Sequence, residues 1–167
     1  MSTRALSDNI TDWGSRSFAS PSSDNDRSAL LDELIADNVE LIACRLISEL
    51  KDDFERSAYA YLLVSKLVTA GKTDAARSVL VSLPGMDVRF RFAVSLEIYL
   101  ATKEPTDLFR LRSVADRLKP QDRAWAYLMA YQQTRDRNDL FLAGQALKAP
   151  GAGLRFRSVA DNAPAKG

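Results

Sequence analysis

The chain contains no histidine. That absence excludes Ser-His-Asp and Cys-His catalysis, histidine metal ligands and a histidine proton shuttle together. Cys44 is the only cysteine among 167 residues. No disulfide can therefore close within one chain, and no thiolate cluster can hold a metal there. Apolar runs are short, since AYAYLLV and VLVSL fall well below the ~18–20 residues that cross a bilayer. The N-terminus has no basic stretch leading into an apolar core of the kind that Sec export reads. The expectations are no membrane span and a cytoplasmic location.

Motifs that cradle a nucleotide are missing as well: there is no Walker loop, no dinucleotide glycine fingerprint and no acidic cluster with metal-ligand spacing. Carboxylates are plentiful, yet no pair has a spacing that would assign one as acid and the other as base. The chain is therefore read as non-catalytic, with neither cofactor nor metal. Its net charge of +1 lacks the basic footprint of a dedicated nucleic-acid binder. Charge is unevenly placed: residues 1–84 hold 9 Lys/Arg against 13 Asp/Glu, and residues 85–167 hold 14 against 9. Such a polarity can orient a charged partner.

What is present is helix-forming sequence. Residues 1–26 are rich in Ser, Asp and Asn with scattered apolar positions, which predicts a disordered arm in which Trp13 and Phe18 are the isolated aromatics. Residues 151–167 begin with helix breakers and end in small residues, which predicts a flexible tail. Between them, residues 27–150 read as helices separated by turn signals, with no strand. Asp24 or Asp26 can cap the first helix, and Asp37-Asn38 breaks it. Gly71 suits a left-handed helix end, Thr73 or Asp74 can cap the next helix, and Pro84 stops it. Pro105 and Pro120 fit first turns, and Asn138 can cap the last helix.

The helices keep a register. Tyr59, Phe92 and Trp125 recur at two equal steps of thirty-three, and each is followed by alanine, namely Ala60, Ala93 and Ala126. Leu63, Leu96 and Met129 follow four positions after the aromatics. Asp74, Asp107 and Asp139 step by thirty-three and then by thirty-two. A period in the low thirties with two helices per period is the signature of stacked helical hairpins. The expected fold is all-α, a short right-handed stack of three to four antiparallel hairpins.

Over roughly Asp52 to Pro150 the chain resembles the tetratricopeptide-repeat family. The best match is LVTAGKTDAARSVLVSLP, with Gly71 at the turn, Ala75 or Ala76 in the small position and Pro84 at the end. Glu104 and Asp136 stand near where Gly71 would recur, and Phe109 and Phe141 fall near where a small residue is expected. Leu63, Leu96 and Met129 replace the small residue usual in the first helix. The resemblance implies an adaptor, scaffold or chaperone that binds a protein segment in a groove lined by first helices. AGKTDAARSVLVSLPGMDVRF is also similar in cadence to the class II chaperones of type III secretion. An RNA-binding helical array is the alternative of another class, and it would need a basic stripe along one row of helices.

The candidate binding residues are Arg56, Arg89 and Arg123 together with Tyr59, Phe92 and Trp125. The arginines lie in first turns, where the helix dipole disfavours positive charge. They either grip an acidic or amphipathic partner segment or are offset by Asp53, Asp87 and Asp122. The aromatics either line the groove or pack between helices, as an aromatic followed by alanine suits a repeated interhelical contact. Another protein is the expected partner, and a homodimer is left open. RLRSVAD at 110–116 and RFRSVAD at 155–161 nearly repeat outside this period. Cys44, in LIACRLI, reads as a small buried hydrophobe.

Overall fold

A computed structural model describes residues 24–83 and 85–150. Eight helices and no strand occur among them: α1 (Asp24–Ala36), α2 (Glu40–Ser48), α3 (Asp53–Thr69), α4 (Thr73–Ser82), α5 (Val88–Thr102), α6 (Pro105–Ala115), α7 (Pro120–Thr134) and α8 (Arg137–Lys148). The chain is all-α. Most of the span expected as an N-terminal arm, and all of the expected tail, lie outside the described residues, but α1 already begins at Asp24. Two compact units divide between Asp87 and Val88. In the first, α1 packs on α2 and α3, and α2 packs on α3 and α4. In the second, consecutive helices α5 to α8 pack on one another and α5 also touches α7.

Local chemistry sets the boundaries. The Asp52 side chain accepts from the Glu55 amide at 2.8 Å, and the Asp136 side chain accepts from the Asn138 amide at 2.9 Å, so each starts a helix by satisfying an orphan donor. The last helix thus starts on Asp136 rather than on a cap by Asn138. Thr73 is the first residue of α4, whose N-cap position is Lys72, without a side-chain cap. Pro105 and Pro120 occupy first turns, where the missing N–H costs nothing.

Among the described residues, four take the left-handed conformation, each in the turn inside a helix pair: Asn38, Gly71, Lys103 and Arg135, at successive steps of thirty-three, thirty-two and thirty-two. Gly71 adopts it without a Cβ penalty. Lys103 and Arg135, rather than the neighbouring Glu104 and Asp136, take the place of Gly71, at a cost of about 1–2 kcal/mol each. Their side chains recover part of that cost. Lys103 Nζ lies 5.3 Å from the centre of the Tyr99 ring, and the Arg135 guanidinium lies 5.9 Å from that of Tyr131, each aromatic being four residues earlier.

A hydrogen-bonded turn supports each of these two residues. Thr102 donates to Asp107 at 2.7 Å and accepts from the Glu104 amide at 3.3 Å. Thr134 donates to Asp139 at 2.9 Å and accepts from the Asp136 amide at 3.0 Å. Both aspartates are buried. The shared pattern is Tyr-x-x-Thr-(Lys/Arg)-(Glu/Asp)-x-x-Asp, written once from Tyr99 and again from Tyr131.

Eight residues after each left-handed position stands a buried apolar side chain: Leu46, Val79, Leu111 and Ala143. In the second unit Leu111 and Ala143 join Phe92, Tyr99, Tyr127 and Ala126 in one core. Polar ties connect successive pairs inside each unit. Lys72 donates to the Ile35 carbonyl and, at 2.7 Å, to Asn38, tying the second turn to the first. Arg112 on α6 donates to both oxygens of Asp139 at 2.8 Å and to Asp136 at 2.6 Å, at the start of α8.

Candidate partner interface

The three aromatics, equivalent in the aromatic-to-aromatic register, have different surroundings. Tyr59 on α3 and Phe92 on α5 are buried, whereas Trp125 on α7 is 55% exposed. The difference follows from two competing periods. The aromatics recur at steps of thirty-three but the turns of the second unit at thirty-two, so Tyr59, Phe92 and Trp125 stand twelve, eleven and ten positions before their left-handed residue. One residue is about 100° of helix rotation. Each slip turns the aromatic away from its predecessor's direction; on α7 the place of Phe92 falls to buried Ala124, and Tyr127 is the buried aromatic. Of the two roles expected for the aromatics, packing between helices fits the burial of Tyr59 and Phe92 but not that of Trp125.

Tyr59 receives a hydrogen bond from Arg27 at 3.2 Å, and that guanidinium also stacks 5.2 Å from the ring centre. It is a packing residue within the first unit. Phe92 and Trp125 are brought together in the second, edge to face, with ring centres 5.9 Å apart and planes at 64°. Trp125 shares its helix face with Leu128, three residues on, which is also exposed. On α5, Ala93 and Leu96 are half-buried and Leu100 is exposed, with exposed Arg89 heading the same helical row. Ala93, Leu96 and Leu100 thus follow one row of α5, and Phe92 of the same helix meets Trp125 of α7. Sequence reasoning misses Leu100 and Leu128; the signal for them is helical spacing, i+7 from Ala93 and i+3 from Trp125.

The arginines separate too. Arg56 donates to the Leu50 carbonyl, to the Lys51 carbonyl at 3.2 Å and to Asp53. Arg123 donates to the Leu118 carbonyl at 3.0 Å. Both hold the end of the preceding helix pair by its carbonyls, which explains a cation in a first turn without a ligand. Each is the fourth residue of its helix, and so is Arg91 in α5. Arg91, rather than Arg89, is their positional equivalent; burial, and secondarily the charge of Arg117, lower its pKa.

Arg56 also stands at the wall of an open cavity of about 240 Å³ lined by Ile47, Ala60, Leu83 and Met86. The lining is mostly apolar, and the Arg56 guanidinium at its wall is already held by the Leu50 and Lys51 carbonyls and by Asp53. Phe109 and Phe141, where a small residue was expected, project from α6 and α8 into solvent. Cys44 is buried as expected, and burial pushes its thiol up to about 11. Among the described residues there is no cluster of His, Cys, Asp and Glu able to hold a metal. No described helix is long and apolar enough to cross a membrane. No family model, curated protein or solved structure matches the chain.

Proposed function

We propose that this chain is a non-catalytic, tetratricopeptide-like stack of four helix pairs that acts as an adaptor, scaffold or chaperone. It binds an amphipathic segment of another protein along the first helices of its second unit. The observation that carries this reading is Trp125, more than half exposed, set edge to face on Phe92 of α5 and sharing its helix face with exposed Leu128. A tryptophan left in water is the kind of side chain that dominates interfaces when covered. Arg89 at the head of the α5 row supports an acidic residue at the matching end of the partner. Four left-handed turns, recurring at Asn38, Gly71, Lys103 and Arg135, support the stacked-pair reading.

The test compares the full chain with Trp125→Asp and with Val81→Asp, a control on the exposed face of α4. Proteins retained from cells that naturally make the chain are identified by mass spectrometry. The reading expects a partner retained by the parent and by Val81→Asp and lost from Trp125→Asp, at equal melting temperatures. Identical retention by all three contradicts it.

A further inference from the structure

The second helix of each pair keeps phase with the left-handed residue before it. Five and nine residues after that residue, α2 buries Ala43 and Ile47 and α4 buries Ala76 and Leu80, and twelve residues after it Leu50 and Leu83 are buried just past the helix ends. The same places on α6 hold Leu108, packed on the core, Arg112, bonded to α8, and buried Ala115. On α8 they hold Leu140, Gly144 and Leu147. Here the two leucines are 45% and 46% exposed, and a Cβ built on Gly144 would meet no atom within 4 Å. Within their units α2 and α6 each pack on the first helix of the following pair, α3 and α7. Among the described residues, the matching face of α8 is uncovered.

The sequence after α8 is written like the start of one more first helix. Leu154-Arg155-Phe156-Arg157 matches Val88-Arg89-Phe90-Arg91, which opens α5. Arginine is the fourth residue of α3, α5 and α7, as Arg56, Arg91 and Arg123. Arg157 holds that place if a helix begins at Leu154. Ser158 and Ala160 then stand where α7 has buried Ala124 and Ala126, small residues where helices cross closely.

We propose that residues 154–163 of the same chain dock as a fifth first helix on the open α8 face of Leu140, Gly144 and Leu147. Leu140 and Leu147 gain the apolar cover that their counterparts on α2, α4 and α6 already have. Arg157 takes the role of Arg56 and Arg123, donating to the last carbonyls of α8. The capped face is distinct from the Trp125 face of α7, so this docking stands or falls apart from the proposed partner interface.

Hydrogen exchange of the full chain, read by mass spectrometry on peptides covering 152–163, tests it, with the molar mass of the same sample measured by light scattering. The expected result is a monomer in which these amides exchange at least about 10-fold slower than an unstructured peptide, as for a locally docked element. Leu147→Glu on α8 and Ala160→Arg in the segment should each return them to the unstructured rate while α5 to α7 stay protected. Unprotected amides in the parent chain overturn the proposal. Protection that appears only with a dimer mass also overturns it, because the occupant is then the segment of a second copy.

Discussion

Arg112→Ala tests the polar tie that closes the second unit. Asp139 is 0% exposed and receives two hydrogen bonds of 2.8 Å from Arg112. Removing the guanidinium leaves a buried carboxylate with the Thr134 hydroxyl at 2.9 Å as its side-chain donor. Breaking a buried ion pair from one side costs about 3–5 kcal/mol because the remaining charge is uncompensated. The Arg112 side chain is 26% exposed, so water reaches its side of the pair, and the lower end, about 3 kcal/mol, is expected. The pair raises the pKa of Arg112, first through its hydrogen bond to Asp139, so the cation is retained at every working pH. Urea unfolding at pH 7 followed by Trp125 fluorescence in a Trp13→Phe background reads this unit specifically. The cycle with Asp139→Ala should give a coupling above about 1 kcal/mol. If Arg112→Ala lies within about 0.5 kcal/mol of the parent, the pair is no more than a surface contact and the reasoning is refuted.

Three further outcomes are expected. Ala60→Leu and Ala126→Leu should each lose roughly 1–3 kcal/mol by overpacking, whereas Ala93→Leu, at a half-buried site, should lose clearly less; equal losses in urea unfolding would contradict the turn-based register. The Asp136 carboxyl is held below its ordinary 3.8, first by the Asn138 amide and then by Arg112. A depressed carboxyl stabilises the fold above the ordinary value and loses that contribution as pH falls through the lower folded value, so Asp136→Asn should flatten the acid limb of thermal stability below about pH 4. Cys44, with its thiol pushed up to about 11, should react with a disulfide reagent at pH 8 far more slowly in the native chain than in urea, and equal rates would show the site to be open.

The helices were legible from the sequence because Gly71, Asn38, Pro105 and Pro120 punctuate them by mechanisms that act locally. The register was only partly legible. Counting from aromatic to aromatic gives steps of thirty-three, while the turns of the second unit step by thirty-two, and a slip of one residue rotates a side chain by about 100°. Trp125 therefore left the core, and Arg91 replaced Arg89 as the equivalent of Arg56. The better ruler was written in the chain as YLATKEPTD and YQQTRDRND, but its logic needs tertiary contact. Nothing local says that Lys103 and Arg135 will accept a left-handed backbone, or that Asp107 and Asp139 will be buried. Asp136 was readable as acidic and not as a cap, since Asn138 offers the same chemistry two residues later.

Position-specific photocrosslinking tests the central claim, that the Trp125 face receives another protein, most directly. A benzophenone amino acid replaces Trp125 in one full-length chain and Val81 in another, both sites being exposed. Irradiation in cells that naturally make the protein should give one discrete heterologous conjugate from position 125 and none from position 81. The conjugate should fade when Leu128→Asp is added to the same chain. No conjugate at 125, or the same products from both positions, contradicts the account.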